Sequence, residues 1–480
     1  MTRLMGVSAL LFALLTASVT LIQLSTDTFT NPSSQHMTEV EPDTFAFGSM
    51  MVTAFQVGRI LDGGGADIGF ATTTNGGATW TNGFLPGITT FFQGGHFTAV
   101  SDPSVAFDSA HGVWMIASLA ITNAIGEAVL VSLSSDGVNW SNPVTVNNQN
   151  GFADKDWIAC DNTSSSPFFG HCYVEWDDAG NGGQIKMSVS IDGGQSWGAA
   201  NTSSGAFGIG GQPVVQPNGT VVVSFEGVEA FTSTNGGASW TRPVTVANTV
   251  DHGVAGDLRT SALPSAEIDG AGTVYVVWQD CRFRAGCKSN DIVMSTSSDG
   301  RNWSAVSRIP IDPTSSTDDH FIPGIAVDPT TSGSSAHLGL TFYFYPQANC
   351  TSSTCRLGVG FISSLDGGKT WSRAIKVAGP MRTTWIADTT QGRMVGDYIS
   401  TSFMNGKAFG VFAKAVAPTG GIFNEAMFTP ATGLDLAEGG ATFSSAGEQP
   451  VPGAHSDHGP RKFYDLDGHV PIPPDKLERD

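Results

Sequence analysis

The sequence predicts an all-β protein in which one antiparallel sheet is repeated along the chain. Three observations lead to this prediction. A short turn motif that ends in tryptophan occurs six times, and an alternating run of apolar and polar residues precedes each copy. Charged residues make up only 14% of the 480 residues, whereas glycine occurs 59 times. That composition is typical of a β-rich chain with many turns.

Each copy of the motif has the chemistry of a hairpin turn. An Asp or Asn side chain accepts hydrogen bonds from backbone N–H groups just downstream, and the glycines that follow adopt positive φ at little steric cost. The tryptophan supplies a large apolar surface to bury. Because extended runs lie on both sides, each copy is predicted to join two strands. The six copies are Thr73–Trp80, Ser134–Trp140, Ser190–Trp197, Ser233–Trp240, Ser297–Trp303 and Ser364–Trp371.

The spacing of the copies predicts a β-propeller. They recur at intervals of roughly 45 to 70 residues, which is near the length of a four-stranded blade. A seventh group of strands follows without the motif, so the simplest ring has seven blades of four antiparallel strands; six blades is the alternative. A strand from the N-terminal segment is expected to complete the last blade and remove its open edge.

Three short apolar runs in each blade are predicted to be strands A, B and C, and the motif is then the turn between strands C and D. The runs are Thr44–Phe47, Met51–Phe55 and Ile68–Ala71; Ser104–Phe107, Val113–Ile116 and Ala128–Val131; Trp157–Cys160, Cys172–Trp176 and Ile185–Val189; Pro213–Val215, Val221–Phe225 and Ala230–Thr232; Ser265–Ile268, Val274–Trp278 and Ile292–Met294; Gly324–Val327, Leu340–Phe344 and Val359–Ile362; and, in the seventh group, Met394–Ile399, Ala408–Phe412 and Glu425–Phe428.

The chain ends predict a secreted protein. Arg3 is followed by a mostly apolar run from Leu4 to Leu24, which is typical of a secretory signal, with an uncleaved anchor as the alternative. Its polar residues make it a poor membrane span, so none is expected in the mature chain. The predicted organisation is a signal peptide at 1–24, a linker at 25–41, the propeller at 42–432 and a disordered or loosely packed tail at 433–480.

The six cysteines fall into three close pairs, and none has the spacing of a metal site. Disulfides in an oxidising compartment are the prediction, with free buried thiols as the alternative. The predicted pairs are Cys160 with Cys172, Cys281 with Cys287, and Cys350 with Cys355.

The formal net charge of −20 argues against nucleic acids and anionic membranes as partners. An anionic sugar is compatible with it, because such a ligand needs only a local cluster of arginines.

The six turns resemble the Asp box, or bacterial neuraminidase repeat, S-x-D-x-G-x-T-W of sialidases and related β-propellers. The resemblance covers residues from about 45 to about 430. It implies the propeller fold and a glycan, or an acidic polysaccharide, as partner. Asp boxes also occur in other glycoside hydrolases, polysaccharide lyases and non-enzymatic receptors, so the box residues themselves receive no catalytic role.

If the boxes mark one rim of the ring, a site on the opposite rim uses the starts of A strands and the ends of B strands. Those positions are rich in charge although the chain is not. Arginine binds a carboxylate through two parallel hydrogen bonds, and aromatic faces stack on sugar rings. The main rim residues are Arg59, Asp102, Asp154–Trp157, Glu175–Asp178, Gln212, Glu226, Arg259, Gln279–Asp280, Arg282, Arg284, Asp318–His320, Arg393, Asp397 and Tyr398.

Sialidases use three arginines on the substrate carboxylate, an Asp acid/base, and a Tyr nucleophile activated by a Glu. The resemblance implies these roles for the rim residues at matching positions. The arginines are Arg59, Arg259 and either Arg393 or Arg282; the acid/base is Asp102, the nucleophile Tyr398, and the activating group Glu226 or Glu267. The early F-R-I-P signature of the family is missing, because the only R-I-P, Arg308–Pro310, follows the fifth box.

The expected function is therefore that of a secreted sialidase-like glycoside hydrolase acting on sialic acid or another acidic sugar, by retaining hydrolysis through Tyr398. A non-catalytic glycan-binding propeller is one alternative. A polysaccharide lyase with Tyr398 or His320 as base is another. No cofactor or metal is predicted, because Asp177-Asp178 and Asp318-Asp319 lack the spacing of a calcium loop.

Overall fold

A computed structural model describes residues 18–147, 152–437 and 448–454. The all-β prediction is confirmed: the described residues form strands β1 to β29 and three single-turn 3-10 helices, with no α-helix. The 3-10 turns are Ala179–Asn181, Gly333–Ser335 and Thr383–Trp385. No helix in these ranges is long and apolar enough to cross a membrane.

The strands alternate in direction along the chain. They are β1 (Leu21–Gln23), β2 (Glu39–Phe47), β3 (Met50–Arg59), β4 (Gly65–Thr73), β5 (Thr81–Phe84), β6 (Ala99–Asp108), β7 (Val113–Thr122), β8 (Ile125–Ser134), β9 (Val144–Asn147), β10 (Ala153–Cys160), β11 (Cys172–Asp178), β12 (Gln184–Ser190), β13 (Gln212–Val215), β14 (Val221–Phe225), β15 (Glu229–Ser233), β16 (Val244–Thr245), β17 (Ser265–Ile268), β18 (Val274–Asp280), β19 (Asp291–Ser297), β20 (Ser307–Arg308), β21 (Asp319–Val327), β22 (Leu338–Tyr345), β23 (Leu357–Ser364), β24 (Ile375–Met381), β25 (Asp388–Thr389), β26 (Gly392–Arg393), β27 (Ser400–Met404), β28 (Lys407–Ala415) and β29 (Glu425–Pro430).

Most of these strands belong to four-stranded antiparallel sheets. Strands β13–β16, β17–β20 and β21–β24 form three such sheets, and β1 pairs with β29 to complete a fourth with β27 and β28. Strands β2–β5 and β6–β9 form two further groups, joined by the single residue pair Gly65–Val100. Strands β10–β12 form a three-stranded sheet, and the chain after β12 returns alongside it through the bridge between Met187 and Asn201.

The first strands of these sheets form a closed cycle of contacts, which we call the first-strand ring. In order, its members are β2, β6, β10, β13, β17, β21 and β27, and β27 contacts β2. The sheets are numbered first to seventh in the order of these first strands. Apolar side chains fill the space between neighbouring sheets, as Tyr275, Ile325 and Trp371 do between the fifth and sixth. The ring brings residues that are far apart in sequence close together.

Each of the six recurrent turns directly follows the third strand of its sheet. In the turn after β12, the N–H of Gly194 donates to Ser190 Oγ over 2.9 Å, and the N–H of Ser196 donates to Asp192 Oδ1 over 3.0 Å. Gly193 and Gly194 have φ of 74° and 79°, in the region that glycine adopts most easily. The turns therefore lie at equivalent ends of their sheets.

The N-terminal segment is part of the fold from residue 18 onward. Strand β1 lies within the range predicted as a signal peptide, and Leu24 next to it is 1% exposed. Ser25 Oγ donates to Glu39 over 2.9 Å, and β2 begins at Glu39, inside the predicted linker. Ordered strands thus occur within both predicted segments, whose bounds stay predictions, and residues 1–17 lie outside the described ranges.

Parts of the predicted tail contact the sheets. Leu434 forms a bridge with Ala408. In the segment 448–454, the N–H of Val451 donates to the Arg282 carbonyl over 2.7 Å. Residues 438–447 and 455–480 lie outside the described ranges, so the prediction for most of the tail concerns residues that the structure does not describe.

All three short-range cysteine pairs are bonded as the spacing predicts. Disulfides join Cys160 to Cys172, Cys281 to Cys287 and Cys350 to Cys355. The first also links paired positions of β10 and β11.

Candidate functional site

The candidate site begins with three irregular positions in the first-strand ring. Glu41, Asp102 and Lys155 have φ of 55°, 49° and 40°, and each lies at a shift of register in β2, β6 or β10. Such left-handed residues cost about 1–3 kcal/mol each and cluster at functional sites, while bulges redirect side chains. At these three positions the charged side chains therefore leave the directions that a regular strand would give them.

Tyr398 lies between these residues. Its hydroxyl donates to the Pro103 carbonyl over 3.2 Å, and its ring meets Trp157 edge-on with centroids 5.1 Å apart. The ammonium of Lys155 lies 3.8 Å from the Tyr398 ring centroid and 4.3 Å from that of Trp157. A cation so placed is attracted by the negative faces of both rings.

Arg259 and Asp397 join the cluster through a two-point ion pair. Arg259 Nε and Nη2 donate to the two Asp397 oxygens over 3.0 and 2.5 Å. The N–H of Asp397 donates to Glu41 Oε1 over 3.2 Å. Gln56 donates to the other Glu41 oxygen and to Ser101 Oγ, the latter over 2.9 Å. These bonds link Glu41 of β2 to the segments that precede β17 and β27.

The cluster contains more acid than base. Asp156, Glu175 and Asp177 are each at most 2% exposed and belong to β10 and β11. Lys155, at 3% exposed, is the cation that interacts with all three. Within the described residues, neither Lys155 Nζ nor Asp177 Oδ1 has a hydrogen-bond partner. Unsatisfied buried polar groups are costly, and they are a common property of sites that bind ligands.

Burial changes the protonation of the cluster. It raises the pKa of Glu41 well above its usual range, with Asp102 and Asp397 adding to the effect and Arg259 opposing it. Burial likewise raises the pKa of Asp102, against the attraction of Lys155. The pKa of Tyr398 is also raised, first by burial and then by Glu41 and Asp102. Carboxyl groups with such raised pKa values serve as general acids near neutral pH.

Glu267 is a further carboxyl group of the ring with an altered pKa. Its surroundings raise its pKa to about 8, first by desolvation and then through Asp43 of β2. The pKa of Asp43 is itself raised to about 6, chiefly by burial. The two groups therefore interact between β17 and β2.

The structure brings some of the predicted site residues together and separates others. Asp102, Arg259 and Tyr398 interact within the cluster. Arg59 also acts on it, because its charge lowers the pKa of Glu41. Arg59 also donates to the Gly64 carbonyl over 2.6 Å.

Two other predicted residues pair with carboxylates near them in sequence, and for Glu226 the contact is a backbone hydrogen bond. Arg393 donates to the Ile386 carbonyl over 3.1 Å and lies 3.5 Å from Asp388. Its guanidinium therefore contacts the β25–β26 hairpin and the residues just before it. Arg282 forms a two-point pair with Asp280. The N–H of Glu226 donates to the Ile209 carbonyl over 2.9 Å. Of the four predicted arginines, Arg282 and Arg393 are therefore paired with carboxylates close to them in sequence.

Several residues of the cluster carried little signal in the sequence. No motif in the sequence identifies Glu41 as a site residue. Lys155 and Asp397 could be recognised from the sequence only as charged residues of the predicted rim. One pattern does point to the irregular positions, because Glu41-Pro42, Asp102-Pro103 and Ile322-Pro323 occur at equivalent places in the first strands, and Ile322 also has a positive φ of 48°.

A separate cleft of about 480 Å³ lies between the second and third sheets. It is lined by Glu127, Trp176, Asp178, Lys186 and Trp197, among others. Trp197 is half-buried, whereas Trp176 is buried, so Trp197 is the aromatic side chain that reaches this surface.

No protein-family model matches the chain, and no curated protein matches it. Solved structures that are similar include a Hadza microbial sialidase, at 12% identity and a TM-score of 0.41, covering 82% of this chain and 65% of that one. An ulvan lyase is similar at 10% identity and a TM-score of 0.46, covering 84% and 94% of the two chains. An α-L-arabinofuranosidase from Fusarium graminearum is similar at 10% identity and a TM-score of 0.44, covering 86% and 97%.

Proposed function

We propose that this protein is an extracellular sialidase-like glycoside hydrolase that acts on sialic acid or another acidic sugar of glycans. The observation that carries the proposal is the meeting of Asp102, Arg259 and Tyr398 in one buried cluster. They come from three distant parts of the chain, and the carboxyl groups around them have raised pKa values.

The proposal includes a seven-bladed propeller. The closed cycle of seven first strands supports seven blades over six, because each member begins its own group of antiparallel strands, although one residue pair joins the first two groups. The pairing of β1 with β29 supports closure of the last blade by the N-terminal segment. The six recurrent turns then lie on the rim opposite the candidate site, as Asp boxes would.

An extracellular location is supported by the three disulfides, since such bonds persist in oxidising compartments. A glycan is the natural partner of such a site, because the cluster offers both a guanidinium fork and aromatic rings. Nothing in the composition suggests nucleic acid, given the net charge of −20.

Arg259 is the proposed substrate-binding residue. Its fork holds Asp397 through two bonds, and a substrate carboxylate has the same geometry. A sugar acid would have to displace Asp397 from this fork, and the Asp397 carboxylate, which stays in the chain, would then need a proton or another partner.

Asp102 and Tyr398 are the proposed acid and nucleophile, and Glu41 takes the activating role that the sequence predicted for Glu226 or Glu267. The protonated Asp102 would give its proton to the leaving oxygen as the glycosidic bond breaks. Glu41 can accept the Tyr398 proton only when it is ionised, which Arg259 and Arg59 favour against the effect of burial on its pKa. The Tyr398 oxygen would then pass its proton to Glu41 and bond to the anomeric carbon, and a water that gives its proton to Asp102 would later release the sugar. For this step the Tyr398 hydroxyl must turn away from the Pro103 carbonyl, to which it donates in the structure.

An assay with a fluorogenic sialoside, run beside a panel of acidic polysaccharides, tests the proposal. Tyr398→Phe should abolish turnover, because it removes only the nucleophilic oxygen. Tyr343→Phe is the matched control: Tyr343 is also buried and also donates to a backbone carbonyl, that of Ala413, over 2.8 Å, but it lies outside the cluster. Equal loss of activity in both variants, or none in either, would exclude Tyr398 as the nucleophile.

Glycan binding without catalysis is the second candidate, and specific contacts favour it. The Arg259 fork is already filled by Asp397, and the Tyr398 hydroxyl points to a carbonyl rather than to a carboxylate. The cleft beside Trp197 offers a further surface for a sugar. Saturable binding of a glycan with no released sugar would select this function, whereas an unsaturated uronate product would identify a lyase.

A further inference from the structure

A second group of charged residues lies between the fifth and sixth sheets, outside the candidate site. Asp291 begins β19, Asp312 lies in the connection from β20 to β21, and His320 belongs to β21. All three are buried, and one side-chain ligand atom of each lies within 4.8 Å of those of the other two. Two ligand atoms bonded to one Zn²⁺ over about 2.0–2.2 Å lie at most about 4.4 Å apart, so the three atoms are near the spacing that a shared ion needs.

The hydrogen bond of His320 leaves one ring nitrogen for a ligand. His320 Nδ1 lies 3.3 Å from the Asn290 carbonyl, which can only accept. Nδ1 therefore carries the proton, and Nε2 presents its lone pair. Histidines that bind metals usually donate their other N–H to a carbonyl or a carboxylate in this way.

In each aspartate, one carboxylate oxygen contacts the arginines and the other has no hydrogen-bond partner within the described ranges. Arg284 Nη2 donates to Oδ1 of Asp291 over 2.5 Å and to Oδ1 of Asp312 over 2.6 Å. Arg308 also lies against both Oδ1 atoms, at 2.9 Å from Asp291 and 2.8 Å from Asp312. Both Oδ2 atoms are buried and have no hydrogen-bond partner within the described ranges. Asp291 is 1% exposed, so solvent does not satisfy its free oxygen.

The local charge leaves room for a cation. The charges of Arg284 and Arg308 balance those of Asp291 and Asp312. Both arginines contact the Oδ1 atoms and leave the Oδ2 atoms without a partner among the described residues. Two further carboxyl groups are near: Glu448, 3.4 Å from Arg308 Nη1, and Asp318, which interacts with His320. Asp319 accepts from Asn290 over 2.7 Å, but burial raises its pKa to about 8, so it adds little charge at neutral pH. The neighbourhood therefore has more carboxyl groups than guanidinium groups.

We propose that Asp291 Oδ2, Asp312 Oδ2 and His320 Nε2 bind a divalent metal ion. One imidazole nitrogen and two carboxylate oxygens suit Zn²⁺, Mn²⁺ or Co²⁺ better than Ca²⁺, which prefers oxygen ligands alone. The ion would join the third strand of the fifth sheet to the first strand of the sixth through the loop between them. This site is independent of the proposed glycan chemistry.

The test uses the full chain after dialysis against a chelator, titrated with Zn²⁺, Mn²⁺, Co²⁺ and Ca²⁺ by calorimetry. One equivalent of Zn²⁺ or Co²⁺ should bind and raise Tm, and Co²⁺ should give the visible d–d absorption of a nitrogen–oxygen site. His320→Gln should weaken binding at least tenfold and remove that absorption. His171→Gln, which changes a histidine directly before β11 and far from this group in sequence, should bind as the wild type does.

Asp312→Asn provides a second variant, because it keeps an acceptor for the arginines but loses the ligand charge, and it should also weaken binding at least tenfold. The proposal is overturned if no ion binds stoichiometrically. It is equally overturned if His320→Gln folds and binds as tightly as the wild type, or if Ca²⁺ binds more tightly than Zn²⁺ and Co²⁺.

Discussion

At the scale of single residues, the tryptophans of the recurrent turns differ in burial, and this sets their contributions to stability. Trp371 is 2% exposed, packs between the fifth and sixth sheets and donates its indole N–H to the Gly368 carbonyl over 3.0 Å. Trp197 is only half-buried at the edge of the second and third sheets. Equivalent positions in the motif are therefore not equivalent in energy.

We expect Trp371→Ala to lower the free energy of unfolding by about 3–5 kcal/mol, as other large-to-small changes in cores do. Trp197→Ala should cost clearly less, because part of its ring already contacts solvent. Denaturant unfolding of both variants measures the difference. A larger loss for Trp197→Ala would mean that the cleft beside it closes around the indole ring in solution.

The sequence was least informative about the contacts of individual site residues. Asp102, Arg259 and Tyr398 could be placed on one rim because the repeat fixes which strand ends share it. The partners of the arginines could not, since Arg259 pairs with Asp397 while Arg393 lies by Asp388 of its own hairpin. Which carboxylate an arginine finds depends on loop paths that leave no periodic signal.

At the scale of elements, the disulfides allow a comparison that depends on chain geometry alone. They close segments separated by 12, 6 and 5 residues. In the chain-entropy model, a longer closed loop restricts the unfolded chain more, and a native disulfide contributes about 2–4 kcal/mol.

Replacing both cysteines by serine in each pair should therefore destabilise the Cys160–Cys172 variant most. The other two variants should lose less and resemble each other. Thermal unfolding under non-reducing conditions would show this order. If the Cys350–Cys355 variant were the least stable, packing of the buried Cys355, rather than loop entropy, would dominate.

Strands were predicted well where an alternating apolar run leads directly into a recurrent turn. The strands before each recurrent turn were expected from alternating apolar runs, and β19 and β23 are examples that the structure contains. The register shifts in β2, β6 and β10 were not expected, because a bulge changes the pairing without changing the apolar pattern. The proline after Glu41 and Asp102 was the only local sign of them.

At the scale of the whole molecule, closure of the first-strand ring places carboxyl groups from many strands in its interior. Glu41, Asp102 and Asp156, from three neighbouring members of the ring, are examples, and each is at most 6% exposed. The repeat made this architecture predictable, whereas the altered protonation of the acids depends on burial that only the assembled ring creates.

The buried acids predict that the protein is more stable at pH 5 than at pH 8. Burial raises the pKa of Glu39 to about 8, and the pKa of Glu267 is raised to about 8 by desolvation and Asp43. In the unfolded chain a Glu has a pKa of about 4.3. Between these values the folded protein holds more protons than the unfolded chain, so the free energy of unfolding falls as pH rises.

The exposed turn aspartates do not reverse this trend. The Asn302 N–H and side chain lower the pKa of Asp299 to about 2, so its contribution is lost only as pH falls toward that value. Tm measured from pH 4.5 to 9 at constant ionic strength should therefore decline between pH 5 and pH 8. Glu39→Gln, which mimics the protonated acid, should make the decline shallower, whereas the exposed Glu127→Gln should leave it unchanged. A Tm that is constant or rises over this interval would show that Glu39 and Glu267 are ionised in the folded protein and stabilised there by partners such as bound cations.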